Sequence, residues 1–329
     1  MKKYLFLIWL MLFLADHLNA QDKYEITVAL DGSGDYQSIQ AAIDASKAFP
    51  NRRVVIRIKN GTYYEKIVIP ECNTQLSLIG ESHEGTVISG NDYFDRINRG
   101  RNSTFYTYTV KVEADDFYAE NLTIENTAGP VGQAIALYVE GNRCTFNNCK
   151  ISGHQDTLYT SGENSRQYFT HCLIEGTTDF IFGAATVLFD DCTINSRSNS
   201  YITAASTTKG KVYGFVFLRC RMIADEKVSQ VYLGRPWRDY ARVVFIYCEM
   251  GAHILPEGWA NWDKTNRDKT AYYAEYRNTG PGASTGKRVS WSHQLTDEEA
   301  SAYLRGTILG PSVQQEPAGD SWVRTNSAH

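Results

Sequence analysis

The stretch FTHCLI at 169–174 is echoed by FNNCKI at 146–151, FDDCTI at 189–194, FLRCRM at 217–222 and FIYCEM at 245–250. Each opens on Phe, places Cys three residues later and closes on an aliphatic residue two beyond the Cys. AENLTI at 119–124 keeps the same frame with Leu122 in the Cys place. Successive cysteines from Cys149 to Cys248 are 23, 20, 28 and 28 residues apart. Self-similarity at such a period marks a solenoid, in which each repeat buries its apolar face only against its neighbours. Between the repeats lie short runs of β-branched and aromatic residues, punctuated by Gly, Asn and Asp, which read as strands and turns. The spacing therefore predicts an all-β, single-domain, right-handed parallel β-helix. Successive coils stack about 4.8 Å apart, so equivalent residues form rows. Two readings of the cysteines stand. One is an interior row of small buried thiols. The other is a disulfide between neighbouring rungs, with Cys172 and Cys192 as the candidate pair.

Working outward, both ends of the repeat carry helical signals. In DGSGDYQSIQAAIDAS, 31–46, a turn-rich loop gives way to an amphipathic segment with Ile39, Ala42 and Ile43 on one face. This is a short N-terminal helix capping the open end of the solenoid and covering its strand edges. LTDEEASAYL, 295–304, predicts a short C-terminal helix with Thr296 or Asp297 at its N-cap. It is expected on the outside or at the far end. GSGDYQ lacks the third glycine of a dinucleotide-binding loop.

The chain has 329 residues, 43% hydrophobic and 21% charged, enough for one long core. Lys2 and Lys3 precede an apolar run from Tyr4 to Ala15, and Ala20 stands before Gln21. This reads as a signal peptide over 1–20, leaving 21–329 as a periplasmic or secreted catalytic domain without stable membrane insertion. Taking away Lys2, Lys3 and Asp16 moves the net charge from −4 to −5. A mildly acidic chain without a basic run argues against nucleic acid. Seven cysteines without a C-x-x-C pair, and scattered histidines, argue against zinc. A monomer is the default expectation.

The chemistry is expected where the row logic meets acids. Asp156 lies seven residues after Cys149, and Asp179 lies seven after Cys172, so the two hold one phase on successive coils. Adjacent carboxylates cannot both ionise cheaply; one becomes an acid while the other stays an anion. Arg235, in YLGRPW at 232–237, is the cation available to decide which. Gln133 is also 23 residues before Asp156, although its own marker, Leu122, is eleven residues back; a longer turn over NTAGPVG, 126–132, would absorb the difference. Trp237, beside such a pair, suits a wall for a sugar ring.

The phrases GTYYEKI (61–67), LTIENTAG (122–129), GQAIAL (132–137), GHQDTLY (153–159), DFIFG (179–183) and LGRPW (233–237) resemble those of the pectin methylesterases. The resemblance continues through GWANWD (258–263) and YYAEYRNTGPGA (272–283) to RVSW (288–291), across nearly all the mature chain. It implies a right-handed parallel β-helix and hydrolysis of methyl esters in pectin, with no metal or organic cofactor. It further implies roles. Asp179 would be the nucleophile and Asp156 the acid and then the base. Gln133 and Gln155 would donate to the oxyanion, and Arg235 would hold Asp179 ionised. Tyr159, Phe182 and Trp237 would line the sugar groove. Three departures are Tyr138, where the family often has arginine, bulky Tyr108, where a small residue is common, and NRDKTAYY at 266–273, which is more polar than usual.

Other functions fit parts of this pattern. A glycosidase also uses two carboxylates, but one coil leaves little room between them for a sugar ring and a water. A calcium-dependent lyase would want a cluster of acidic ligands. A same-fold esterase or thioesterase on a non-pectin ester would have a narrowed groove, and a non-catalytic polysaccharide-binding β-helix would not need its acids.

Overall fold

A computed structural model describes residues 23–310. The leader expected over 1–20 lies outside the described residues. The chain winds as a right-handed parallel β-helix with three sheets of eleven, eight and seven strands. A typical coil gives one strand to each sheet in turn, as in Arg166–Thr170, Leu173–Gly176 and Ile181–Gly183. The next coil repeats this with Thr186–Asp190, Thr193–Ser196 and Tyr201–Ala205, every pairing parallel.

The quoted repeats are the inner rows. Phe146, Phe169, Phe189, Phe217 and Phe245 stack along the axis, with neighbouring ring centroids 4.6, 5.2, 4.5 and 4.3 Å apart. Ile151, Ile174, Ile194, Met222 and Met250 form the aliphatic row beside them, fully buried. Burying a row of Phe and Ile contributes about 1.5–3 kcal/mol per side chain. The repeat cysteines are free buried thiols, so the Cys172–Cys192 bridge is not formed. Cys172, Cys192, Cys220 and Cys248 donate instead to a backbone carbonyl one coil back, and Cys149 donates to Asn147 O of its own coil. Cys172 donates to Phe146 O at 3.4 Å, Cys192 to Phe169 O at 3.4 Å and Cys220 to Phe189 O at 3.3 Å.

The residue before each of these cysteines is left-handed: Asn148, His171, Asp191, Arg219 and Tyr247 have φ between 49° and 55°. This single residue pivots the chain from the first sheet to the second without interrupting the ladder. His171 N–H still donates to Asp190 O at 3.2 Å, and Tyr247 N–H to Tyr276 O at 3.0 Å.

The N-terminal end is capped by a helix, Ile39–Asp44, whose Ile39, Ala42 and Ile43 are buried, as the pattern predicts. Ser38 is its N-cap, and Glu65 accepts from Ile39 N and Gln40 N at 2.9 and 3.0 Å. The C-terminal helix, Asp297–Ala300, starts at a capping box of Thr296 and Glu299. A second helix, Arg305–Leu309, follows it and was not signalled by the sequence. Its Ile308 and Leu309 pack on Tyr168, Leu188 and Val216, outside the eleven-stranded sheet. The far end is closed by something else: Arg288 and Glu275, 4% and 1% exposed, form a salt bridge at 2.8 Å inside the last coil. No helix among the described residues is long and apolar enough to cross a membrane.

Candidate active site

Asp156 and Asp179 sit at the bend between the eight- and seven-stranded sheets. Leu158 pairs with Ile181 and Tyr159 with Phe182, so the two acids, each two residues ahead, occupy equivalent places on adjacent coils. Both are left-handed, with φ of 62° and 49°. Asp adopts this conformation at less cost than most L-residues. Both keep the ladder: Asp156 N–H donates to Thr178 O and Asp179 N–H to Tyr201 O. The acids are thus pivot residues of the solenoid.

Arg235 reaches Asp179 from two coils away. Its Nε donates to Oδ1 at 3.0 Å and its Nη2 to Oδ2 at 2.7 Å, a bidentate pair. The Asp179 side chain is 9% exposed and that of Arg235 18%. The guanidinium carbon lies 4.1 Å from the ring centroids of both Tyr201 and Trp262. Burial pushes the Asp179 carboxyl up from its usual range, while Arg235 pulls it back. Burial pushes Asp156 well above its usual range; the negative charge of Asp179 adds to this, and Arg235 offsets it only in part. Of the two, Asp156 is driven higher, so the pair can hold one proton and one charge.

The two glutamines flank the pair differently from expectation. Gln133 is in register with Gln155, not with Asp156. The cause is a bulge: Ala136 N and Leu137 N both donate to Thr157 O, so the Gln133 coil carries one extra residue before Leu137. The 23-residue interval therefore overshoots by one: the turn at 126–132 is longer, as expected, but by five residues rather than four, since Ile124 pairs with Ile151 and Gln133 with Gln155. The outcome places Gln133 and Gln155 side by side next to Asp156, both partly exposed.

The outer row of the seven-stranded sheet is aromatic beside the acid pair. Tyr159 stacks on Phe182 with centroids 4.5 Å apart, and Trp237 meets Phe182 edge-on at 5.8 Å. The row continues beyond the expected residues to Tyr138, 4.7 Å from Tyr159, and Phe105, 5.2 Å from it. Tyr201 and Trp262 are the other residues that sequence reasoning missed. Tyr201 holds the phase of Asp179 one coil on, but it lies nine residues after Cys192, where the seven-residue interval points to Asn199. Trp262 stands in GWANWD, a motif quoted above without a role. Among the described residues no group of three or more His, Cys, Asp or Glu could hold a metal ion.

A carboxylate fixed by a guanidinium, a second carboxyl beside it that burial and that anion favour in the protonated form, and two neighbouring amides can attack an acyl carbon and protonate its leaving group. The chain matches the pectinesterase family over residues 25–311. Pectinesterase 31 of Arabidopsis thaliana is 40% identical over 294 residues, covering 87% of this chain and 92% of its own. Pectin methylesterase from carrot superposes with a TM-score of 0.81 at 35% identity, over 86% of this chain and 92% of its own. A pectin methylesterase solved in complex with a hexasaccharide superposes at 0.75, with 30% identity, over 88% and 98%. With a match over nearly its whole described length and relatives this similar, the chain belongs to the pectinesterase family.

Proposed function

We propose that Asp179 and Asp156 are the nucleophile and the acid/base with which this pectinesterase hydrolyses the methyl esters of galacturonate units in pectin. The observation that carries the assignment is the bidentate Arg235–Asp179 pair, with Asp156 in register one coil away. Asp179, ionised and held by Arg235, attacks the ester carbonyl carbon. Gln133 and Gln155 donate side-chain N–H groups to the oxyanion, where charge develops. As the tetrahedral intermediate collapses, the bond from carbon to methoxyl oxygen breaks. Asp156 gives that oxygen its proton, and methanol leaves. The galacturonyl group is now joined to Asp179 as an anhydride. Asp156, now ionised, takes a proton from water as the water attacks the anhydride. Asp179 is released as a carboxylate, Asp156 is protonated again, and the product is a galacturonic acid unit that loses its remaining proton to solvent. Tyr159, Phe182 and Trp237 bind the polymer through their apolar faces.

All these groups come from one chain, which supports action as a monomer. The apolar leader supports export of residues 21–329 to the periplasm or outside, where the polymer is met. The test is incubation of the purified protein with highly methylated pectin, following methanol, reducing ends and unsaturated products together. Methanol alone is expected. Reducing ends would assign a glycosidase, unsaturation a lyase, and no product on any channel would remove pectin as the substrate.

A further inference from the structure

Both halves of the Arg235–Asp179 pair rest on one residue. Tyr201 O accepts from Asp179 N–H at 2.8 Å, and the Tyr201 ring centroid lies 4.1 Å from the Arg235 guanidinium carbon. The backbone of the acid and the side chain of its cation thus share a support on the next coil. The ring is itself held. Tyr201 pairs in register with Tyr232, and the two rings stack with centroids 5.4 Å apart and 15° between their planes. Tyr232 stands three residues before Arg235, whose N–H donates to Thr203 O at 2.9 Å. Two paired strands therefore fix both the ring and the root of the arginine.

An arginine side chain is long, and its two bonds to Asp179 form together only when the guanidinium fork faces both carboxylate oxygens. A ring against the guanidinium attracts its charge and limits its tilt. Trp262 lies at the same distance, but it comes from a loop, and Arg267 lies 5.5 Å from its ring as well. Burial works against the charge of Arg235, while Asp179, Tyr201 and Asp263 support it. Asp179 in turn is faced by Arg235 and Asp156, and the buried Tyr273 hydroxyl also feels its charge.

We propose that Tyr201 is a positioning residue for the reaction: its ring holds the Arg235 guanidinium in the orientation that meets both oxygens of Asp179, and it acts through Arg235 without touching the polymer. The inference rests on the reading of Asp179 as the nucleophile and adds what keeps that nucleophile aimed.

The experiment measures kcat and KM for methanol release from highly methylated pectin across pH, in wild type, Tyr201→Leu and Tyr201→Phe. Leu keeps the carbonyl that Asp179 uses and removes the ring. Its kcat should fall about 10-fold, the order of one partly desolvated cation–π contact, with KM unchanged. The acid limb of kcat should move up by about 0.5–1 in pH. Asp179 must be ionised to attack, and a loosened Arg235 opposes its protonation less. The midpoint of that limb does not depend on how much of the protein is folded. Tyr201→Phe keeps the ring and should restore both kcat and the midpoint. A Leu variant with wild-type kcat or an unmoved acid limb overturns the inference. So does a KM that rises while kcat holds, which would make Tyr201 a contact of the polymer, and so does a Phe variant as slow as the Leu variant, which would assign the effect to the hydroxyl. Should the Leu protein not fold, Tyr201→Ile, β-branched and suited to a strand, is read in the same way. If wild type releases no methanol, or Asp179→Asn releases it at the wild-type rate, the esterase reading or its nucleophile has failed, which is a different outcome.

Discussion

Asp156 and Asp179 share one backbone conformation and one place in the coil, so the different roles proposed for them rest on what surrounds each. Asp179 has a guanidinium at 2.7 and 3.0 Å, whereas Asp156 has a neighbouring anion. Replacing each by Asn should therefore separate activity from stability. Asp179→Asn is expected to cut methanol release at least about 10⁴-fold. It should also destabilise the protein by about 1–3 kcal/mol, because Arg235 is left partly buried without its anion. Asp156→Asn should cut activity about 10²- to 10⁴-fold, the usual loss for an acid/base, yet raise stability. The sign follows from linkage. The folded pKa of Asp156 lies above its unfolded value near 4, so its protonated form stabilises the fold at low pH. That contribution is lost as pH rises through the folded pKa. Asn removes the penalty. Thermal melts at pH 7 should show Asp156→Asn about 1–3 °C above wild type, with the gap closing toward pH 3–4. An Asp156→Asn protein less stable than wild type at pH 7 would mean that the carboxyl is not held up as described. Both acids were legible because they follow their cysteines by a constant seven residues. Trp262 was not, because it reaches Arg235 from a loop whose length owes nothing to the coil period.

The elements were legible for the same reason and up to the same limit. The Phe-x-x-Cys phrases fixed the strand rows, since a parallel sheet stacks identical positions. The bulge at Ala136–Leu137 was not visible: one extra residue in a coil leaves the composition unchanged and shifts only the register of Gln133. Nor was the second C-terminal helix, five residues long, whose stability comes from Ile308 and Leu309 on the sheet rather than from its own sequence. The left-handed pivots carry a prediction of their own. Asn148 suits its φ of 49°, while Tyr247, at 54° and 49% exposed, does not. A left-handed L-residue costs about 1–2 kcal/mol, less for Asn. Tyr247→Asn should raise the denaturant midpoint, the relief exceeding the loss of its edge contact with Tyr276. Asn148→Val should lower stability by about 1–2 kcal/mol, and the midpoint with it. A Tyr247→Asn protein weaker than wild type would show that the ring contact outweighs backbone strain.

A solenoid is only as sound as its ends, and the end nearer Arg235 is closed by a charge rather than by a helix. Every donor of Arg288 is used. Nε and Nη2 donate to Glu275 at 2.8 and 3.1 Å, Nη1 to Leu255 O and Pro256 O at 3.2 and 3.1 Å, and Nη2 also to Gly282 O at 2.7 Å. Gly258 is left-handed at φ 70°, and a Cβ there would lie 2.4 Å from Arg288 Cδ, so the plug also dictates this glycine. The same segment builds the site. Leu233 N–H donates to Gly258 O at 2.7 Å and Ala260 N–H to Gly234 O at 3.1 Å, so the plugged coil is the outer neighbour of the strand that delivers Arg235. Arg288→Met would leave Glu275 buried and unpaired, at a cost of about 3–5 kcal/mol. The melting temperature of the single variant should accordingly lie well below that of wild type. The double variant Arg288→Met, Glu275→Leu should recover most of the stability, since it removes the orphaned charge. If the plug also orders the strand carrying Arg235, the single variant should lose kcat for methanol release at temperatures where it is still folded, and the double variant should regain it. A single variant with wild-type kcat below its melting point would confine the plug to stability and leave Arg235 positioned by Asp179, Tyr201 and Trp262.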